Sequence, residues 1–319
     1  VNALLSGNPV TGASVELTID PVVQKAAWDA LGKLKGAVVA IDPLTGNIIA
    51  MVSKPGFDAN RLAVHDGITS TNNYAELLAD PDSPLVNKAI SGSLYAPGSV
   101  FKVLVAAAAI ESGKYTADSM LPNPVKFKLP GTNTFIQNSG EGKCGGRATV
   151  SIADALRLSC NIPFAQLGIE LGQNAIREQA EKFGFGKTVE IPLRSTASVY
   201  PKNMDDAQTA MSAFGQFDVR VTPLQIAMMS AAIANNGKIM KPNLIENVIS
   251  ANLSSLYAPA PQEYASPISA STAAAVRQMM IDAVERGVSS NARIDGVTVA
   301  GKTGTAQNGE DDPYTLWFT

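Results

Sequence analysis

An α+β fold, in which an antiparallel sheet has helices grouped against it, follows from three features of the sequence. Two β-rich runs, Gly36 to Ile41 and Asn47 to Val52, flank the turn Asp42-Pro43-Leu44-Thr45-Gly46 and predict a hairpin. Helical periodicity dominates the middle of the chain, and a second pair of strand-like runs, Lys302 to Ala306 and Tyr314 to Thr319, closes it. Strands at both ends with helices between them predict one sheet assembled from both ends of the chain. The 319 residues, 45% hydrophobic and 17% charged, are enough to bury a large core in one large domain or two smaller ones.

Taken in order, residues 1–13 are rich in Gly, Asn and Pro and read as the tail of something preceding. Ser14 to Ile19 alternates like a strand, and Asp20-Pro21 caps a helix running to Leu34. After the first hairpin a polar stretch from Lys54 to Asn87 predicts loop, with one short helix near Tyr74 to Leu78. Pro97 and Gly98 then break the chain, and a helix begins at or just before Ser99 and continues through the apolar run Val103 to Ile110. Gly113 to Gly146 reads as loops and short strands. Helix returns at Ser151 to Leu158, stops at Ser159-Cys160-Asn161, and resumes from Ile162 to Leu171. Further helices are predicted for Asn174 to Phe183, for an apolar segment from Pro223, capped by Thr222, to Ile233, and for Ser271 to Arg286. The apolar one is expected to be central and buried.

Composition removes several classes of function. With 25 basic and 28 acidic residues and no block of like charge, no nucleic-acid surface is expected. The longest apolar runs are too short to span a bilayer, and residue 1 does not open a signal peptide. One histidine, His65, and two cysteines, Cys144 and Cys160, make no zinc site of the usual composition, so neither a metal nor a cofactor is expected. A Ser-His-Asp hydrolase would need His65, which lies in a polar loop, and the chain has no Gly-x-Ser-x-Gly elbow.

Ser99-Val100-Phe101-Lys102 puts a hydroxyl and an amine one helical turn apart on one face, a nucleophile and a candidate base. Alone, it reads equally as an N-cap and a solvated lysine. Two further motifs follow: Ser159-x-Asn161, the only one of five Ser-x-Asn copies that interrupts two helices, and Lys302-Thr303-Gly304, unique in the chain. This ordered triple resembles the signature of the serine active-site penicillin-recognising enzymes. Gly36 to Ser53, Ser91 to Lys102, Asp154 to Gly168 and Phe214 to Pro242 extend the resemblance to the transpeptidase domain of class B penicillin-binding proteins. Gly215-Gln216-Phe217 departs from the Gly-Gln-Gly often found there.

The resemblance implies a β-lactamase/transpeptidase-like fold with an all-helical subdomain and the active site at its junction with the sheet. Residues 14–319 would be the transpeptidase domain, lacking the family's last strand and C-terminal helix, and 1–13 a remnant of an N-terminal pedestal. It implies a D,D-transpeptidase that crosslinks peptidoglycan stem peptides ending in D-Ala-D-Ala and is trapped by β-lactams. Such an enzyme sits on the extracytoplasmic face of the bacterial plasma membrane through an N-terminal anchor and meets other cell-wall synthesis or division proteins. Ser99 would be the nucleophile, Lys102 the base, and Ser159 a relay from Lys102 to the leaving amine. Asn161 would hold Lys102 and substrate, and Lys302 would be the electrostatic clamp. Thr303 and Thr305 would bind the substrate carboxylate, Gly304 would leave room for substrate, and the N–H groups of Ser99 and Thr305 would form the oxyanion hole.

Two alternatives stay open: a serine β-lactamase, one class of which has the Glu-x-x-x-Asn spacing of Glu170 and Asn174, although these follow Ser159 too closely and more simply line the polar face of a helix, and a penicillin-binding sensor without turnover. Cys144 and Cys160 read either as two buried thiols or, in the oxidising compartment the resemblance implies, as a disulfide beside Ser159.

Overall fold

The structure is a computed structural model and describes residues 12–140, 142–309 and 311–319. Most of the segment 1–13, the expected pedestal remnant, therefore lies outside the described residues.

Strand β1 (Ser14–Leu17) leads into helix α1 (Pro21–Leu31), whose first N–H groups donate to the Asp20 carboxylate and whose Pro21 needs no donor of its own. The predicted hairpin forms as β2 (Gly36–Ile41) and β3 (Ile48–Lys54), paired antiparallel from Gly36↔Lys54 to Ile41↔Ile48. Helix α2 (Gly67–Ala79) is longer than its apolar signal, because Asp66 caps it well before the first aromatic residue. Helix α3 (Lys102–Glu111) follows, and every residue from Lys102 to Ala109 is buried.

Short strands β4 (Met120–Pro122), β5 (Lys126–Lys128), β6 (Phe135–Gln137) and β7 (Thr149–Ser151) form two small ladders, β4 with β7 and β5 with β6. Helices α4 (Ile152–Arg157), α5 (Ile162–Leu171) and α6 (Gln173–Lys182) pack on α3, and α7 (Asp206–Ser212) and α8 (Pro223–Ala234) follow, α7 against α5. The sequence reading passes over α7; a reciprocal Asp205 and Gln208 capping box starts it in a stretch with little apolar periodicity. Strands β8 (Ile239–Met240), β9 (Ile245–Ile249), β10 (Ser255–Tyr257) and β11 (Glu263–Ala265) add two small sheets, β1-β9-β10 and β8-β11, also missed. Long helix α9 (Ala270–Arg286) precedes the terminal hairpin of β12 (Thr303–Ala306) and β13 (Thr315–Phe318).

The expected single sheet is interrupted. Both hairpins lie against α8, but among the described residues no ladder joins β2 to β13. A groove of about 640 Å³ separates them, walled by Val38, Ala40, Leu316 and Phe318 and floored by Ile226 and Ala227 of α8. The helical layer otherwise matches the prediction, and one apolar core runs continuously through α3, α5, α8 and α9. No helix of the described residues is long and apolar enough to cross a membrane.

Candidate active site

Pro97 and Gly98 turn the chain so that residues 98–101 form one 3-10 turn, and the α-helix proper starts at Lys102. Ser99 thus stands one turn ahead of α3, half-buried, in the lining of a cleft of about 600 Å³. Glycine is required at two places around it. Gly98 has φ +53°, and a Cβ there would sit 2.5 Å from the Thr305 carbonyl oxygen; Gly215 has φ +80°, and a Cβ there would sit 2.0 Å from the Gly98 carbonyl oxygen. The Gly98 N–H also donates to the Gly215 carbonyl at 2.9 Å. The Ser99 turn is held between β12 on one side and the Phe214–Phe217 turn on the other. In that second turn Phe217 adopts φ +58°, the left-handed conformation that a glycine would take at less cost.

Strand β12 presents a free edge to Ser99. Lys302 and Thr319 exchange both backbone hydrogen bonds, at 2.7 and 3.0 Å. Alternation then pairs Gly304 with Trp317 and turns the N–H and C=O groups of Thr303 and Thr305 away from β13. A Cβ on Gly304 would meet the Pro97 carbonyl oxygen at 2.9 Å and Val100 at 3.0 Å. Its small size therefore makes room for the Ser99 turn, where the sequence reading has it make room for substrate.

Two fully buried lysines lie beneath the cleft and share Ser159. Lys102 Nζ donates to the Ser159 carbonyl and to Asn161 Oδ1, both at 2.8 Å. Lys302 Nζ donates to Ser159 Oγ at 2.7 Å and to the Thr303 carbonyl at 2.8 Å. Ser159 adopts φ +59°, a left-handed break between α4 and α5 that separates its carbonyl from its hydroxyl in this way. Its hydroxyl thus pairs with Lys302, whereas the sequence reading links it to Lys102. Burial, and then the neighbouring Lys302 charge, push the Lys102 amine well below the usual lysine range. Burial brings the Lys302 amine down to about 7. The Phe164 and Phe214 rings lie 5.8 and 6.0 Å from Lys102 Nζ and complete its apolar surroundings.

Cys144 and Cys160 form a disulfide, with Cα atoms 5.7 Å apart, which ties the loop before β7 to the residue between Ser159 and Asn161. Glu170 is not in the cleft; it accepts a hydrogen bond from the Tyr115 hydroxyl at 2.7 Å, and Asn174 pairs with Arg177. None of the described residues lining the cleft carries a carboxylate. His65 is exposed in its loop.

Sequence reasoning misses two buried asparagines. Asn138 Oδ1 accepts the backbone N–H groups of Asn161 and Ile162 at 2.8 and 3.0 Å, and Asn123 in turn holds Asn138. Neither belongs to a motif or lies on a periodic segment, so nothing in the sequence marks them.

Comparison with known proteins agrees with this geometry. The family described as penicillin binding protein transpeptidase domain matches residues 36–319. The chain is 38% identical to peptidoglycan D,D-transpeptidase PbpA of Mycolicibacterium smegmatis over 322 residues, which cover 98% of this chain and 65% of that protein. PbpA of Mycobacterium tuberculosis is 37% identical, with the same coverage. The chain thus spans just under two thirds of the length of these relatives. Among solved structures, the ceftriaxone acyl-enzyme of penicillin-binding protein A from M. tuberculosis superposes with a TM-score of 0.94 at 36% identity, covering 99% of this chain and 73% of that one. A D,D-transpeptidase domain from Eggerthella lenta gives 0.86 at 34% identity, covering 97% of this chain and 75% of that one. With the three motifs gathered at one cleft and a family match over residues 36–319, the chain belongs to the penicillin-binding protein transpeptidase domain family.

Proposed function

We propose that this chain is the catalytic unit of a peptidoglycan D,D-transpeptidase, acting on stem peptides that end in D-Ala-D-Ala and acylated by β-lactams. The observation that supports this most strongly is the sharing of Ser159 by two buried amines, Lys102 on its carbonyl and Lys302 on its hydroxyl, next to a half-buried Ser99. A neutral amine has two N–H donors and one lone pair. The Ser159 carbonyl and Asn161 Oδ1 take the two donors of Lys102, which leaves the lone pair to accept the Ser99 proton.

Ser99 Oγ then attacks the carbonyl of the penultimate D-alanine while its proton passes to Lys102. The oxyanion is met by the N–H groups of Ser99 and Thr305, the latter on the free edge of β12. The C–N bond breaks, and the leaving D-alanine nitrogen takes a proton from the Ser159 hydroxyl, which Lys302 resupplies through its 2.7 Å contact. The substrate carboxylate lies against Lys302, Thr303 and Thr305. An amine from a second stem peptide attacks the Ser99 ester and gives up a proton through the Ser159 hydroxyl to Lys302, while the ester C–O bond breaks and Ser99 takes its proton back from Lys102. No cofactor enters these steps.

Residues 14–319 make up the transpeptidase unit in this reading, and the groove between β2 and β13 seats one further strand of the domain. The whole protein would work at the outer face of the plasma membrane, anchored through an N-terminal segment and in contact with other cell-wall synthesis or division proteins.

Ser99→Ala is expected to abolish covalent labelling by a fluorescent penicillin with an unchanged melting curve; retained labelling would remove Ser99 from the mechanism. A D-Ala-D-Ala thioester analogue with an added D-amino acid tests the reaction type. Transfer supports a transpeptidase, acylation without turnover a sensor, and rapid penicillin hydrolysis a β-lactamase.

A further inference from the structure

The loop that presents Asn161 to Lys102 is held by two buried amides outside all three motifs, Asn123 and Asn138, the second of which bonds the backbone at Asn161. Asn123 is fully buried and Asn138 nearly so. All four hydrogen-bonding positions of each side chain are filled. Asn123 Nδ2 donates to the Cys144 and Arg147 carbonyls at 2.7 and 2.8 Å, and its Oδ1 accepts from Asn138 Nδ2 at 3.1 Å and from the Cys144 N–H at 3.2 Å. Asn138 Nδ2 also donates to the Gly142 carbonyl at 3.2 Å, and its Oδ1 accepts the Asn161 and Ile162 N–H groups. With every donor and acceptor matched, neither amide can rotate by half a turn without facing donors with donors.

This closure has a directional consequence. Helix α5 has no side-chain cap of its own at Asn161. Asn138 supplies that cap from across the chain, so the Asn161 side chain is released from capping its own helix. Asn161 Nδ2 instead donates to the Gln137 carbonyl at 3.1 Å, one residue before Asn138, which leaves Oδ1 facing Lys102. The backbone at residues 137 and 138 thus fixes both the position of Asn161 and which end of its amide meets the lysine.

We infer that Asn138, braced by Asn123, is a positioning residue for acyl transfer that acts through the orientation of Asn161. This rests on the reading of Lys102 as the base. A lysine facing Asn161 Nδ2 would meet a donor, and its own N–H groups would no longer be arranged to leave the lone pair for Ser99.

The test is a double-mutant cycle on the second-order rate of acylation by a fluorescent penicillin, using the whole 319-residue chain. Asn161→Ala is expected to slow acylation about 10- to 100-fold, the range for loss of a hydrogen bond to a group that becomes charged, here Lys102 as it takes the Ser99 proton. Asn138→Leu, similar in volume but unable to accept, is expected to slow it by a comparable factor. Asn138→Asp keeps an oxygen toward the Asn161 and Ile162 N–H groups and is expected to keep more of the rate than Asn138→Leu. In the Asn161→Ala background either Asn138 substitution is expected to add less than about threefold. Full multiplication of the two effects, or equal losses for Asn138→Asp and Asn138→Leu, would show a generic packing role and overturn the inference. An unchanged rate in Asn161→Ala would instead remove the mechanistic reading beneath it. Should Asn138→Leu fail to fold, the cycle with Asn138→Asp decides the matter alone.

Discussion

Lys102 and Lys302 are fully buried and form no ion pair with a carboxylate among the described residues, so the cost of burying each in its charged form is offset only by hydrogen bonds to neutral oxygens. The Lys302 amine has a folded-state value of about 7 against an ordinary 10.5. Between those two values the unfolded chain binds a proton that the folded chain does not, so stability rises with pH across this window. At about 1.4 kcal/mol per unit the full effect is a few kcal/mol. The urea midpoint is therefore expected to climb from pH 7 to pH 9, and Lys302→Met should remove part of that slope; an unchanged slope would place the titration elsewhere. For acylation, the rate with a carboxylate-bearing β-lactam should fall on the alkaline side starting near pH 7, as Lys302 loses its charge. Lys302→Arg, whose guanidinium stays charged, should move that limb upward. Short motifs made Ser99, Lys102, Ser159, Asn161 and Lys302 legible in the sequence, because residue type and spacing carry that information. The pairing of the Ser159 hydroxyl with Lys302 was not legible, since it depends on a left-handed backbone at a serine, for which no motif exists.

At the scale of elements, the site depends on close backbone approach between two turns and a strand. Gly215→Ala would set a Cβ against the Gly98 carbonyl, a backbone atom with no side chain to move aside, at a residue with φ +80°. The left-handed strain alone costs about 1–2 kcal/mol. A lower melting temperature together with slower penicillin labelling is expected, and normal labelling would show that the Ser99 turn does not depend on this contact. The disulfide acts on the neighbouring element. Its 16-residue separation corresponds to about 3 kcal/mol in the chain-entropy model. Cys144→Ala should lower the denaturation midpoint while leaving labelling of the folded fraction largely intact, because Asn138 still holds Asn161 and Ile162. Helices with an apolar run or a Pro-marked start, such as α3, α5 and α8, were readable in advance. Helix α7 and the Asn123–Asn138 relay were not, because a capping box without periodicity and amides that meet only through tertiary packing give no local signal.

For the whole molecule, the β-rich run of β2 beside its turn and the strand-like run of β13 marked both as strands but carried no information on which of their edges would meet. Periodicity encodes which face of a strand is buried and is silent about lateral neighbours. The structure places the hairpins on either side of a groove, with α8 as its floor, so alternate N–H and C=O groups of β2 point toward β3 and the rest into the groove. An edge of this kind is a template for another extended segment. In the 319-residue chain the β2 amides that point toward β3 are therefore expected to exchange with deuterium far more slowly than those that point into the groove, giving a two-residue alternation along Gly36–Ile41. Uniform protection along β2 would mean that its outer edge is already covered and would refute the open groove. If an added extended peptide seats there, it should slow exchange of the groove-facing amides alone, because the β3-facing set is already bonded. The Lys302 and Thr319 pairing on the far side of β13 should stay unaffected, so Ser99 labelling is expected to proceed whether or not the groove is filled.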